Sequence, residues 1–374
     1  MNLAFSATNP CHLYPLAQAV ESIEPDVTVY MGYPRWRLAP PHPSKLRCHS
    51  LRTIVTYGLL RVPERFRPDQ RKLFGWQDRY FDQWVGNNLS RHDFIHAIPG
   101  QALCTFRRAK ALGLRTVLNH ATGPASAVRS IMATEMDRLG LATERQVENF
   151  DQEKEEYVLA DYHSVASAIV RDQLVAQGTS AEKIWIIPYG ASPDIFFPSS
   201  ASRKLNFQPI FAGQMALRKG IPTLLQSLEL LGVRNWSFDF YGTRRQETVP
   251  FLNDYRGKIS LRFRGAVSQP KLADAMRSAS VLVLPSVEDG FGLVVPQALA
   301  CGTPCIVSDR VGAADLIKHR KNGSIFPAND HHALADEISF WEDSPERVTG
   351  DFNWSAPARL LVQRSKEAID DARA

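Results

Sequence analysis

The chain has 374 residues, 44% of them hydrophobic and 22% charged, the make-up of an ordinary globular protein rather than a disordered, collagen-like or coiled-coil one. At that length two domains with sizeable cores are expected. The formal charge is only +5, and no stretch reaches the ~18–20 uninterrupted apolar residues of a membrane span.

In chain order, residues 3–5 read as a strand, 13–23 as a helix and 27–31 as a strand. Residues 94–97, 101–112 and 116–119 make a strand–helix–strand unit. Two helices follow, a charged one at 144–159 and another at 167–177 that Gly178 ends, and then a strand at 184–187. Residues 188–209 carry four prolines and four serines with little periodicity, which marks a link between domains. The rhythm then restarts, with strands at 210–212, 236–241, 259–263, 281–284, 305–307 and 324–326. Helices are expected near 221–231, 270–279 and 294–300, and a terminal one at 357–368 with its proline at the start. Alternating short strands and helices imply α/β architecture with two doubly wound parallel sheets. Such sheets bind ligands at their carboxyl ends, here in a cleft between the two domains.

Charge is unevenly placed. Residues 45–74 hold eight lysines and arginines against Glu64 and Asp69, a surplus of six, so the rest of the chain sums to −1. These cations alternate with apolar residues such as Leu51, Ile54, Val55 and Phe66. Such interleaving suits an anionic membrane surface or an anionic acceptor, or else the solvated face of a helix pair. No nucleic-acid recognition motif accompanies it, so nucleic acid is not an expected partner. Five scattered cysteines, an odd number, argue for reduced thiols. The opening Met1-Asn2-Leu3-Ala4-Phe5-Ser6 lacks the basic flank and apolar core of a secretory signal. A cytoplasmic location is expected, with contact at the inner face of the membrane through 45–74.

Three segments of the second half suit a diphosphate. In the first, Gly213, Gln214 and then Arg218-Lys219-Gly220 follow a strand; Arg218 can fork onto phosphate oxygens and Lys219 adds a compact charge. In the second, Glu288-Asp289-Gly290-Phe291-Gly292-Leu293 turns from a strand into a helix whose first N–H groups attract anions. Asp289 and Gln297 bracket this turn and suit different ends of one elongated ligand. The third, Arg264-Gly265-Ala266-Val267, borders a nucleobase in this reading. In the acidic stretch Glu148, Asp151, Glu153, Glu155 and Glu156, Asp151 and Glu153 point to different helix faces, so a solvated helix is expected rather than a metal site.

Taken together, these segments resemble family 4 of the retaining glycosyltransferases (group 1), which have the GT-B fold. The resemblance continues through Ala300-Cys301-Gly302-Thr303-Pro304, 311–317 and Lys321-Asn322-Gly323, and reaches back to 183–190, ending in Pro188-Tyr189-Gly190. It implies an acceptor-binding domain at 1–190, a donor-binding domain at 205–354, and a terminal helix at about 357–372 packing back on the first domain. It further implies transfer of a sugar, with retention, from a nucleotide-diphosphate donor to a saccharide or lipid-linked saccharide in surface polysaccharide or glycoconjugate synthesis. Arg218 and Lys219 match the diphosphate-binding cations, and Gly290, Phe291, Gly292 and Leu293 match the loop at the donor sugar and phosphates.

The family's paired glutamates fall on Asp289 and Gln297, with Glu288 adjacent; whether Asp289 or Glu288 takes the first role stays open. Gln214 stands where the family has an arginine. His120 matches the histidine near the donor sugar, while His96 is expected to be a structural loop residue. Asn9, in Ser6-Ala7-Thr8-Asn9-Pro10, replaces a glycine-rich loop on the acceptor side. No metal or other cofactor is expected, since Arg218, Lys219 and the helix start supply positive field. A nucleotide-sugar-binding protein with weak or lost catalysis is the main alternative, and a nucleotide-sugar epimerase the other.

Overall fold

A computed structural model describes residues 1–38, 40–142, 151–198, 206–343 and 347–371, the side chain of Glu64 excepted. Two parallel sheets organise the chain. The first contains β1 (Leu3–Ala7), β2 (Val27–Met31), β3 (Lys45–Cys48), β4 (Phe94–Ala97), β5 (Arg115–His120), β6 (Tyr162–Val165) and β7 (Ile184–Ile186), in the order β3-β2-β1-β4-β5-β6-β7. The second contains β8 (Pro209–Ala212), β9 (Ser237–Tyr241), β10 (Ser260–Gly265), β11 (Val281–Leu284), β12 (Cys305–Ser308) and β13 (Gly323–Phe326), in the order β10-β9-β8-β11-β12-β13. The central strands are buried throughout, as in Val281–Leu284 and Cys305–Ser308. Continuous apolar runs of this kind are what a parallel sheet covered on both faces requires.

In the first unit the helices are α1 (Leu13–Glu21), α2 (Leu51–Leu59), α3 (Gln70–Asn88), α4 (Leu103–Ala111), α5 (Ala125–Arg138), α6 (Asp151–Leu159) and α7 (Ala168–Ala176). The second has α8 (Ile221–Leu230), α9 (Val249–Asp254), α10 (Gln269–Ser278), α11 (Val294–Ala300) and α12 (His331–Asp343). After it, α13 (Ser355–Asp371) packs on α1, and Trp354, Ala358, Leu361 and Val362 join the core of the first sheet. Where the chain crosses between the units, Ala191 pairs with Asn353 and its N–H donates to the Phe352 carbonyl at 2.7 Å. Part of the expected link, residues 199–205, lies outside the described residues, as do 144–150 of the expected charged helix with Glu148.

Several elements depart from the sequence expectation. Residues 45–74 include parts of a helix pair, for α2 packs on α3, but are not wholly helical. They comprise edge strand β3, helix α2, a short turn and the start of α3, where the Asp69 carboxylate accepts from the Lys72 N–H at 2.9 Å. Strand β6 and helices α3, α5, α9 and α12 were not expected. His96 sits in strand β4, buried and stacked on Phe5, rather than in a loop.

The acidic stretch is also not a solvated face. Glu156 is buried and accepts from the N–H groups of Gly100 (2.6 Å) and Ala102 (3.0 Å) at the start of α4. Glu153 accepts from the Ala125 N–H at the start of α5 at 3.2 Å, and Glu155 pairs with Arg107 in α4. The carboxylates thus join α6 to its neighbours. Glu156→Ala should lower unfolding stability by about 2 kcal/mol, because it strands two amides; an unchanged urea midpoint would contradict this role.

Candidate active site

In both sheets the strand order reverses once, between β1 and β4 and between β8 and β11. Crevices at the carboxyl ends of strands open at such reversals. The loops leaving β8 and β11 are those that carry the expected donor residues. They meet backbone to backbone: Gly220 has φ +68°, and a Cβ there would lie 1.8 Å from the Pro285 carbonyl oxygen. The Val287 N–H donates to the Arg218 carbonyl at 2.9 Å.

This contact seats two cations on two acids. Arg218 Nη1 lies 2.8 Å from Glu288 Oε2 and also donates to the Glu288 carbonyl; Lys219 Nζ donates to Asp289 Oδ2. Glu288 and Asp289 are both buried. Each of the two cations expected to supply positive field is thus paired with an acid. Each cation keeps N–H donors beyond those in use, five being available to a guanidinium and three to an ammonium. One buried oxygen, Glu288 Oε1, has no partner among the described residues.

The loop after these acids is pinned on one side. Asp289 N–H donates to the Arg310 carbonyl, Gly312 N–H to the Asp289 carbonyl, and Ala313 N–H to the Phe291 carbonyl. Among the described residues, the N–H groups of Gly290, Phe291, Gly292, Leu293 and Val294 have no protein acceptor. Gly290 itself abuts the first unit: a Cβ there would stand 2.7 Å from Thr122 Cα and 2.9 Å from the Ala121 carbonyl oxygen. Ser167 Oγ donates to the Gly290 carbonyl at 2.7 Å. The fold thus sets the 290 loop directly against the end of β5, where His120 lies.

His120 is buried, with Nε2 3.0 Å from His163 Nδ1 and its ring against the edge of Tyr157. Burial is the first cause that holds it neutral, and His163 and His12 add to it. Its carbonyl accepts from the Tyr189 hydroxyl at 3.1 Å. Tyr189 stacks on His12 at 4.4 Å and meets Phe291 edge-on at 5.1 Å.

The remaining expected residues divide. Leu293 and Gln297 line a cavity of about 360 Å³ between the units, together with His12 and Gln269. Gly213 closes β8, its N–H donating to the Tyr241 carbonyl, and Gln214 is exposed beside it. Gly265 and Val267 lie at the end of β10, the same end of the sheet. Arg264, at the same end, pairs together with Arg262 with the buried carboxylate of Asp239. Asn9 accepts from the Tyr57 hydroxyl at 3.3 Å. His163, Tyr189, Ser167 and His12 were not singled out as site residues. Tyr189 stood in the quoted Pro-Tyr-Gly segment, whereas Asp161, His163 and Ser164 break the apolar run that would have revealed β6.

Four buried histidines make the first unit acid-sensitive. Burial lowers His12 and His96 to about 3 and His163 to about 4, with His120 also well below the ordinary 6.5. The unfolded chain therefore binds more protons below pH 6.5, and stability present above that pH is lost as pH falls toward 4. Asp78, raised to about 6 by burial, and Glu156, also raised, act in the opposite direction but are outnumbered. The urea midpoint should fall from pH 7.5 to pH 5.5; a flat profile would contradict four neutral histidines.

The model for glycosyl transferases group 1 matches residues 194–349. The chain is 27% identical over 227 residues to a D-inositol 3-phosphate glycosyltransferase of Paenarthrobacter aurescens, covering 53% of this chain and 55% of that protein. It is 27% identical over 262 residues to an uncharacterized glycosyltransferase of Methanocaldococcus jannaschii, covering 65% and 64%. It therefore spans less than two thirds of these relatives. Among solved structures it is similar to a sucrose-phosphate synthase of Thermosynechococcus elongatus (TM-score 0.71, 18% identity, 99% of this chain and 100% of that one). It is also similar to Anabaena HepE in complex with UDP-glucose (TM-score 0.67, 15% identity, 99% and 100%). The match to the group 1 glycosyl transferases thus covers the second sheet, and over its length the chain has the same two-unit GT-B fold as these structures.

Proposed function

We propose that the protein transfers a sugar from a nucleotide-diphosphate donor to a saccharide or lipid-linked acceptor, with retention at the anomeric carbon. The observation that carries this reading is the pairing of Arg218 with Glu288 and Lys219 with Asp289 beside five amides that have no protein acceptor among the described residues. Two cations with spare donors and a row of N–H groups suit a leaving diphosphate, on which charge grows as the glycosidic bond breaks. The two acids suit sugar hydroxyls, and Lys219 orients Asp289 for that task. Gln297, facing the inter-unit cavity, suits a ribose hydroxyl. Similar proteins solved with UDP and UDP-glucose support such a donor.

In this reading the acceptor hydroxyl attacks the anomeric carbon from the face the diphosphate leaves, and a departing phosphate oxygen takes its proton. Atoms balance without a protein nucleophile. His120, neutral and already bonded to His163, acts as a polar wall of the sugar site rather than as the base. No metal ion takes part in this scheme, in which the spare N–H donors of Arg218 and Lys219 and the loop amides bind the diphosphate oxygens. The role lies in surface polysaccharide or glycoconjugate synthesis.

The test is release of nucleoside diphosphate from a panel of nucleotide sugars, with and without chelator. The wild type should turn over at least one donor in the presence of chelator. Arg218→Ala with Lys219→Ala should lose about 10²–10³-fold or more in kcat, the range for removing one such charge-stabilising donor. An unchanged rate in the double variant removes this mechanism, and donor binding with no release favours the catalytically inactive reading.

No helix among the described residues is long and apolar enough to cross a membrane. For 45–74 we propose peripheral contact with an anionic bilayer at the inner membrane face. Leu51 (64%) and Phe66 (65%) are strongly exposed, Arg65 lies over the Phe66 ring, and Lys72 of the same segment is exposed too, a mixture of apolar area and positive charge that suits such a surface. The protein should sediment with vesicles containing phosphatidylglycerol and not with neutral ones; sedimentation indifferent to lipid charge would count against it.

A further inference from the structure

A second recess lies on the first unit, outside the donor loops. It has a volume of about 210 Å³ and is walled by Tyr33, Trp36, Arg37, Tyr57 and Arg61. Tyr33 follows β2, Trp36 and Arg37 form a single helical turn after it, and Tyr57 and Arg61 come from α2 and its exit. Tyr33 and Tyr57 meet edge to face at 6.2 Å. The Tyr57 hydroxyl reaches Asn9, in the loop after β1 at the strand-order reversal. Arg37 also lines the inter-unit cavity that holds Leu293 and Gln297, so the recess adjoins the donor side of the cleft.

The charges here differ from those in the second unit. Arg218, Lys219, Arg262 and Arg264 each sit on a carboxylate. Among the described residues, Arg37 and Arg61 form no ion pair, although both flank the same aromatic walls. One acid, Asp78, acts on Tyr57; it is half-buried, and burial raises it to about 6. Exposed Trp36, at 74%, offers a broad apolar face next to these guanidinium groups.

We propose that this recess is the acceptor subsite and that its ligand is an anionic saccharide, one carrying a phosphate or carboxylate. Aromatic faces cover the C–H face of a sugar ring through apolar contact. Arginine forks bind phosphate or carboxylate oxygens through paired N–H donors. A neutral saccharide leaves both guanidinium groups unanswered, so charge selects among acceptors. The proposal rests on the glycosyltransferase reading only for the word acceptor; the preference for charged saccharides stands on the recess itself.

The experiment is calorimetric titration of the full chain with glucose 6-phosphate, glucuronic acid and glucose, and separately with UDP, GDP and ADP. At least one charged sugar should bind tenfold or more tightly than glucose. Arg37→Gln with Arg61→Gln should abolish that preference, and Arg61→Gln alone, at an exposed position that does not line the inter-unit cavity, should weaken it while nucleoside diphosphate affinity stays within twofold. Trp36→Ala should weaken every saccharide alike. Equal binding of glucose and both charged sugars, or a preference that survives in the double variant, overturns the proposal. Loss of nucleoside diphosphate binding alone would instead count against the donor reading. Vesicles of phosphatidylglycerol form the last arm: binding to them that depends on Arg37 and Arg61, without sugar binding, makes the recess a lipid headgroup site and also overturns the proposal.

Discussion

The two sheets meet at a place where a side chain would not fit. Gly290 presses its backbone on Ala121 and Thr122, and its carbonyl takes a hydrogen bond from Ser167. Packed interiors do not absorb an added methyl at 2.7 Å without movement. This contact fixes the distance between the end of β5 and the loop after β11. Several residues expected at the site lie within a few positions of it: His120 on one side, and on the other Glu288, Asp289 and the amides that have no acceptor among the described residues.

Charge at the site follows from the same closeness. The loops after β8 and β11 touch through Gly220 and Pro285, which brings Arg218 and Lys219 within reach of Glu288 and Asp289. Buried acids need partners, and these cations supply them. The site is therefore neutral in itself and keeps its surplus N–H donors for an incoming anion. That arrangement orients the acids without leaving a buried charge unmatched.

The first unit supplies a different environment. His12, His96, His120 and His163 are all buried and neutral, and Tyr189 joins His12, His120 and Phe291 in one packed group. Beyond that group the polarity changes again, to exposed aromatic residues and arginines around Tyr57 and Trp36. The cleft thus has a neutral centre with cationic groups on both sides: Arg218 and Lys219 paired with acids in the second unit, and Arg37 and Arg61 without an ion pair among the described residues in the first.

The sequence alone determined the α/β class, the second sheet strand by strand, and the candidate donor loops, because buried parallel strands are short apolar runs and the turns between them carry glycine. It also placed His120 at a strand end. It left β3 and β6 unread, since Lys45, Arg47, Asp161 and His163 interrupt the hydrophobic pattern on which such reading depends. Pairings were decided only by the tertiary structure: Arg218 on Glu288, Arg264 on Asp239, Glu156 on the start of α4, His120 on His163. Each joins residues between 43 and 70 positions apart, except Arg264 and Asp239 at 25. No local periodicity encodes which distant side chain will satisfy a buried charge, for that depends on how the sheets and loops pack.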